Sequence, residues 1–208
     1  MASAANPQDE QQLIQQAQRG DIEAFNVLVL NYQDRVYTLT YRIMNDEASA
    51  ADMAQDAFIT AYRRIETYRG GSFRSWLLRI ATNTCYDELR RIKRRPATSI
   101  EDMPGAEHDD GPALPDDSPS PEQVTQQNEL NQAIQDCIGG LGDDQRIILV
   151  LSDVQDMSYE EIATMVGTRV GTVKSRLSRA RVNVRDCLQA VQELLPASYR
   201  LNTTDTMD

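Results

Sequence analysis

Apolar residues recur at three- and four-residue steps along most of this chain. That spacing places them on one side of an α-helix. In 21–44 the stripe is Phe25, Leu28, Val29, Tyr32, Val36, Leu39, Tyr41 and Ile43, and Asp21 after Gly20 is placed to cap it. A second helix is expected from about Ser49 to Tyr68, on Met53, Ala57, Phe58, Ala61 and Ile65. Gly70-Gly71 interrupts the pattern as a loop. A third helix is expected from about Phe73 to Arg95, stopping before Pro96, with Leu78, Ala81, Cys85, Leu89 and Ile92 as its stripe.

The pattern resumes near residue 120. Ser120-Pro121 reads as an N-cap followed by proline at the first helical position. Leu130, Ile134, Cys137, Ile138 and Leu141 form the stripe, and Gly139-Gly140 ends the helix. Another helix is expected from about Asp143 to Asp153. Ser158-Tyr-Glu-Glu161 is a capping box that starts a short helix. Gly167 makes a turn, and Thr168 is placed to cap a helix with the stripe Val170, Val173, Leu177, Ala180 and Val184. A short helix, a glycine turn and a basic second helix describe a helix-turn-helix. The expected fold class is therefore all-α, with two small helical domains at 8–95 and 122–195.

Between them, 96–121 holds six of the eight prolines. Such a stretch buries too little apolar surface to fold alone and reads as a flexible linker. Charge sharpens the division. The net charge of −11 hides a near-neutral 1–95 (13 basic, 12 acidic), a 96–145 with no basic and 12 acidic residues, and a neutral 146–208. The linker is thus acidic, and a basic whole-chain nucleic-acid binder is excluded. No apolar run approaches the roughly 20 residues that span a bilayer. The N-terminus has neither the basic patch nor the apolar core of a signal peptide, so a cytoplasmic chain is expected. Cys85, Cys137 and Cys187 are far apart and His108 is the only histidine, so neither a metal site nor a cofactor is expected. Three small, mostly buried thiols are expected rather than a disulfide.

Three polar faces carry candidate chemistry. Asp52, Gln55 and Asp56 leave the second helix together, among alanines, where a basic partner helix could dock. On the third helix, Trp76, Arg79, Asn83, Asp87 and Arg90 lie opposite the apolar stripe. Arginines bind phosphate, an aromatic ring stacks on an unpaired base and an amide reads a base edge. The run Arg90, Arg91, Lys93, Arg94, Arg95 adds attraction for a phosphate backbone. On the last helix, Lys174, Ser175, Arg176, Ser178 and Arg179 oppose the stripe, and 169–185 holds six basic and no acidic residues. Arginine amid short hydroxyls suits entry into a major groove.

Four segments in order, GDIEAFNVLVLNYQDRVYTLTYRI, DMAQDAFITAYRRI, FRSWLLRIATNTCYDELRR and SYEEIATMVGTRVGTVKSRLSRAR, resemble a bacterial RNA polymerase sigma factor of the extracytoplasmic-function group. The resemblance implies a region 2 that binds polymerase core and melts the promoter, and a region 4 that reads the minus-thirty-five element. It implies that Asp52, Gln55 and Asp56 dock on the β′ clamp coiled coil. It implies that Tyr68, Ser72, Phe73, Trp76, Arg79, Asn83, Asp87 and Arg90 meet the minus-ten strand, one base of which is flipped into a pocket. Lys174, Ser175, Arg176, Ser178 and Arg179 would read the minus-thirty-five element, and the outer surface of region 4 would grip the β flap. An anti-sigma factor is the implied regulator, the acidic linker would thread a basic polymerase channel, and no small-molecule substrate is implied. Arg169 stands where the family often has proline, and Gly142 replaces a proline common before the Asp-Gln-Arg stretch.

A stand-alone helix-turn-helix regulator would account for 141–190 but leaves the pattern at 50–95 unexplained. A nuclease holding a metal on Asp52 and Asp56 lacks any accompanying nucleophile or base.

Overall fold

The computed structural model describes residues 7–94 and 121–191. The expected Ser120 cap, His108 and most of the acidic linker lie outside the described residues. Eight α-helices follow in order: α1 (Pro7–Gln18), α2 (Ile22–Met44), α3 (Glu47–Arg64), α4 (Phe73–Arg94), α5 (Pro121–Gly139), α6 (Asp143–Leu149), α7 (Tyr159–Val166) and α8 (Val170–Ala190). A 3-10 turn, Ile65–Thr67, follows α3, and a π-helical turn, Val150–Val154, follows α6. No strand occurs among the described residues.

Local chemistry sets the helix ends. The Asp21 carboxylate accepts hydrogen bonds from the Glu23 and Ala24 amides at 3.0 and 3.2 Å, satisfying donors that α2 cannot use internally. Asn45 ends α2 in the left-handed region at φ 58°, and Asp46 caps α3 by accepting from the Ser49 amide at 2.7 Å. Two residues thus reverse the chain and bring α3 back along α2. Alanines 50, 54, 57 and 61 line the inner face of α3, so its backbone lies close to α2 and α4. Leu28, Leu39, Ile43, Leu77 and Leu78 fill the space between them. Each fully buried side chain of this kind contributes about 1.5–3 kcal/mol.

The second unit packs α5–α8 around Ile147, Ile148, Leu151, Ile162 and Leu177. Ser158 and Glu161 form the expected capping box, with the Glu161 amide donating to the Ser158 hydroxyl at 3.2 Å and the Ser158 amide to the Glu161 carboxylate at 3.0 Å. Gly167 takes φ 66°, the left-handed value the turn requires.

The two units lie against each other, and polar groups make much of the seam. The Gln135 amide, 2% exposed, donates to the Tyr41 carbonyl at 3.0 Å and to Asn45 at 2.8 Å, and accepts from Arg42 at 2.8 Å. Arg146 donates to the Ile43 carbonyl at 2.7 Å while holding Gly139 and Leu141 carbonyls at 2.6 and 2.9 Å. The Gln155 side-chain amide donates to the Arg35 carbonyl at 3.2 Å, and the Gln155 backbone carbonyl accepts from Arg74 at 2.8 Å. Three buried polar side chains of the second unit therefore terminate on backbone carbonyls or side chains of the first.

Several expectations are corrected. Cys137 and Cys187 are joined by a disulfide, because α5 and α8 run side by side and bring the two Cα atoms to 5.7 Å; Cys85 is the free, buried thiol. Thr168 does not cap α8. The N-cap is Arg169, without a side-chain bond, and the Thr168 amide instead donates to the Ala163 carbonyl to close α7. Ile92 is 48% exposed rather than part of the core: at the end of α4 it is Lys93 that meets α6, through Asp143. The expected helix 143–153 changes winding at Val150.

Candidate nucleic-acid interface

The face of α4 is built on an aromatic cluster. Phe73 is buried, 2% exposed, and its ring lies 5.5 Å from Tyr32, 5.6 Å from Tyr68 and 5.4 Å from Trp76. Tyr68 and Trp76 are half-buried and meet edge to face at 5.5 Å. Phe73 is thus a platform beneath the two rings that reach the surface. Arg79, Asn83, Asp87 and Arg90 are exposed along the same helix. Asp87 pairs loosely with Arg90 at 3.7 Å, and Arg90 also lies over the Tyr86 ring at 5.7 Å. Ser72 caps α4, accepting from the Ser75 amide at 3.2 Å.

The loop before α4 is held from outside the cluster. The Gln18 amide of α1 donates to both the Ile65 and Tyr68 carbonyls, at 3.0 and 2.9 Å. The Tyr68 hydroxyl donates to the Gly71 carbonyl at 2.7 Å. Gly70 and Gly71 have φ of 97° and 92°, values only glycine adopts without strain. Between α1 and this loop opens a cavity of about 500 Å³ lined by Glu10, Gln15, Gln18, Tyr68, Arg69 and Gly71. Glu10 accepts from the Tyr32 hydroxyl at 2.6 Å. Burial, reinforced by that carboxylate, drives the Tyr32 phenol well above its ordinary pKa. Sequence reasoning missed Gln18 and Glu10, since glutamines and glutamates in a polar helix carry no pattern that separates a clamp from a solvated surface.

On α8, Lys174, Ser175, Ser178 and Arg179 are exposed and Arg176 is partly buried. Lys174 lies 5.9 Å from the Tyr159 ring centre. The Ser175 hydroxyl donates to the Thr172 carbonyl at 3.0 Å. Arg176 pairs with Asp144 at 3.0 Å, and Lys93 of α4 with Asp143 at 2.6 Å. The acidic start of α6 therefore sits between the basic end of α4 and the basic face of α8. Tyr86 is drawn into the same cluster: its hydroxyl donates to Asp144 at 3.4 Å, and burial, with Asp144 nearby, pushes its pKa up to about 12. On α3, Asp52, Gln55 and Asp56 are all exposed, and none of their side chains makes a hydrogen bond or ion pair within the described residues. No cluster of metal-ligating residues occurs among the described residues.

An aromatic and basic helix face joined to a helix-turn-helix is an arrangement suited to nucleic acid, and family profiles give its class as the sigma-70 transcription initiation proteins. The profile of Sigma-70 region 2 matches residues 28–95 and that of Sigma-70 region 4 matches 131–184. The chain is 40% identical to the RNA polymerase sigma-H factor of Pseudomonas aeruginosa over 88% of its own length and 95% of that protein's. It is likewise 40% identical to the ECF RNA polymerase sigma-E factor of Escherichia coli K12, covering 86% and 94%. Its fold resembles CnrH, solved in complex with the cytosolic domain of CnrY, with a TM-score of 0.62, 24% identity, and 88% and 98% of the two chains covered. The chain belongs to the extracytoplasmic-function group of sigma-70 factors and is an alternative sigma factor that directs promoter-specific transcription initiation.

Proposed function

We propose that the α4 face, from Tyr68 and Ser72 through Trp76, Arg79, Asn83, Asp87 and Arg90, receives the separated non-template strand of the minus-ten element. Two surface rings on a buried aromatic platform, followed by exposed arginine and asparagine, support this most directly. Rings stack on unpaired bases at about 1–3 kcal/mol per base, and the arginines neutralise phosphates. The α8 face, Lys174, Ser175, Arg176, Ser178 and Arg179, reads the minus-thirty-five duplex in its major groove. Asp52, Gln55 and Asp56, exposed and without internal partners, dock on a basic partner surface, for which the β′ clamp coiled coil of core polymerase is the reading; the β flap is the partner of region 4. The acidic 96–121 linker favours a basic channel of the same enzyme. The protein acts as a specificity subunit in the cytoplasm and performs no bond-making chemistry of its own. No helix among the described residues is long and apolar enough to cross a membrane. The relative CnrH was solved with the cytosolic domain of CnrY, and that of Bartonella quintana RpoE with the anti-sigma factor NepR; an anti-sigma factor is the corresponding regulator here.

The test is run-off transcription by core polymerase on a promoter library, with and without the protein. New promoter-selective transcripts that disappear with Asn83→Ala or Arg179→Ala support the assignment. Absence of transcripts, with tight duplex binding by the protein alone, replaces it with a stand-alone regulator.

A further inference from the structure

We propose that Cys137 and Cys187 are a reversible thiol–disulfide couple, open to exchange with small disulfides such as glutathione disulfide, that fastens the C-terminal half of α8 to α5. The inference is independent of the roles proposed for the DNA-reading faces. It rests on how unevenly α8 is anchored. Its first half is held by Val173, Leu177 and Ala180, all nearly fully buried. Beyond Ala180 no described residue of α8 is buried. There the helix is held by Val184 and Leu188, both half-exposed, by the Arg181–Asp153 pair at 2.7 Å, and by the bond to Cys137. The link also encloses α6, α7 and α8 as far as Cys187, since its ends are 50 residues apart.

The two sulfurs are unequal in a way that assigns their roles. Cys187 lies on the exposed part of α8, whereas Cys137 is 5% exposed within α5. Exchange proceeds by thiolate attack on a disulfide sulfur and depends on access. From the reduced state, the Cys187 thiolate attacks glutathione disulfide, forms a mixed disulfide and releases one glutathione thiolate. The Cys137 thiolate then attacks the Cys187 sulfur and releases the second. The protein gives up two electrons and two protons, and one glutathione disulfide becomes two glutathione thiols. Cys85 stays outside this chemistry: it is fully buried, and burial pushes its thiol up to about 12. In a reducing compartment, protein disulfides are mostly transient or redox-sensing.

The full chain is equilibrated in glutathione buffers of graded ratio, quenched by alkylation and weighed intact. Wild type should pass in one step between two alkylated thiols lost and two regained. Cys137→Ala should accumulate an adduct of one glutathione on Cys187, and Cys187→Ser should accumulate none. Hydrogen exchange should run about tenfold faster in 181–190 after reduction, with 170–180 unchanged. The proposal is overturned if Cys137 and Cys187 remain alkylatable at every ratio, if the adduct appears on Cys137, or if exchange in 181–190 does not respond to reduction. Cys187→Ser replaces an exposed residue, so it remains informative should the buried Cys137 variant fail to fold.

Discussion

Replacing Arg146 by methionine isolates the polar seam between the two units. Methionine keeps the length and apolar stem of the side chain, so the change removes the guanidinium without opening a large cavity. Three carbonyls lose their donor: Ile43 at 2.7 Å, Gly139 at 2.6 Å and Leu141 at 2.9 Å. A hydrogen bond to a charged group contributes about 1.5–3 kcal/mol. The three bonds share one cation and are not additive. The native state also carries the cost of burying that cation, whose pKa burial lowers. The expected net loss is about 2–4 kcal/mol, between the value of one such bond and the 3–5 kcal/mol of breaking a buried pair. With a urea m-value near 2 kcal/mol/M, the midpoint should fall by about 1–2 M. Arg146→Lys should lie between the two, because one ammonium cannot reach three carbonyls in the fork geometry. A methionine variant within about 0.5 kcal/mol of wild type would refute the reasoning, since surface substitutions fall in that range.

Further outcomes follow from other contacts. Gly139→Ala places a Cβ 2.6 Å from the Asn45 side-chain oxygen, which Gln135 already holds at 2.8 Å, so urea melts should show a loss of about 1–3 kcal/mol; Gly140→Ala, whose nearest neighbour would be 3.6 Å away, should be near neutral. Hydrogen bonds from Ser158 and Ser75 hold the Glu161 carboxyl below its usual range. Its contribution is therefore present above the unfolded value of about 4.3 and lost as pH falls through the lower folded value; Ser158→Ala, which removes the hydroxyl and keeps the backbone donor, should flatten that acid limb in part in thermal melts from pH 6 to 2. Gln18→Glu cannot donate to the Ile65 and Tyr68 carbonyls. It should weaken minus-ten single-strand binding about fivefold by anisotropy, roughly one lost neutral hydrogen bond, with minus-thirty-five duplex binding unchanged.

Much of the fold was legible because its signals are local. The period of 3.6, the Asp21 cap and the Ser158–Glu161 box each need only neighbours within one turn. The α4 and α8 faces were legible for the same reason, as residues opposite an apolar stripe share a surface. What escaped depends on distant partners. Nothing in the local sequence marks Gln18, Gln135 and Gln155, and only the packing of α1, α5 and the residue after the π turn shows that their amides donate to distant backbone carbonyls. The Cys137–Cys187 pair needs α5 and α8 side by side. Thr168 was claimed by two helices at once, and the end of α7 took its amide. Phe73, one of the residues assigned to the minus-ten strand, is buried against the rings of Tyr32, Tyr68 and Trp76, contacts its local sequence does not announce.

The seam between the units combines amides and a guanidinium on backbone carbonyls with an apolar core that runs unbroken from one unit into the other. Such a seam is a clasp: opening it wets polar groups, which water can serve, and apolar side chains, which it cannot. Elements named minus ten and minus thirty-five lie about 25 base pairs apart, roughly 85 Å of duplex at 3.4 Å per pair. The 26 residues between Arg94 and Pro121 reach at most about 90 Å when fully extended. If α4 and α8 read those two elements, one molecule touches both only after the clasp has released, and the Lys93–Asp143 pair, which crosses the seam, then gives up its lysine to phosphate. Under that reading the length of the linker, added to the spans of the two units, acts as a ruler for how far apart two promoter elements can lie and still be read by the same chain.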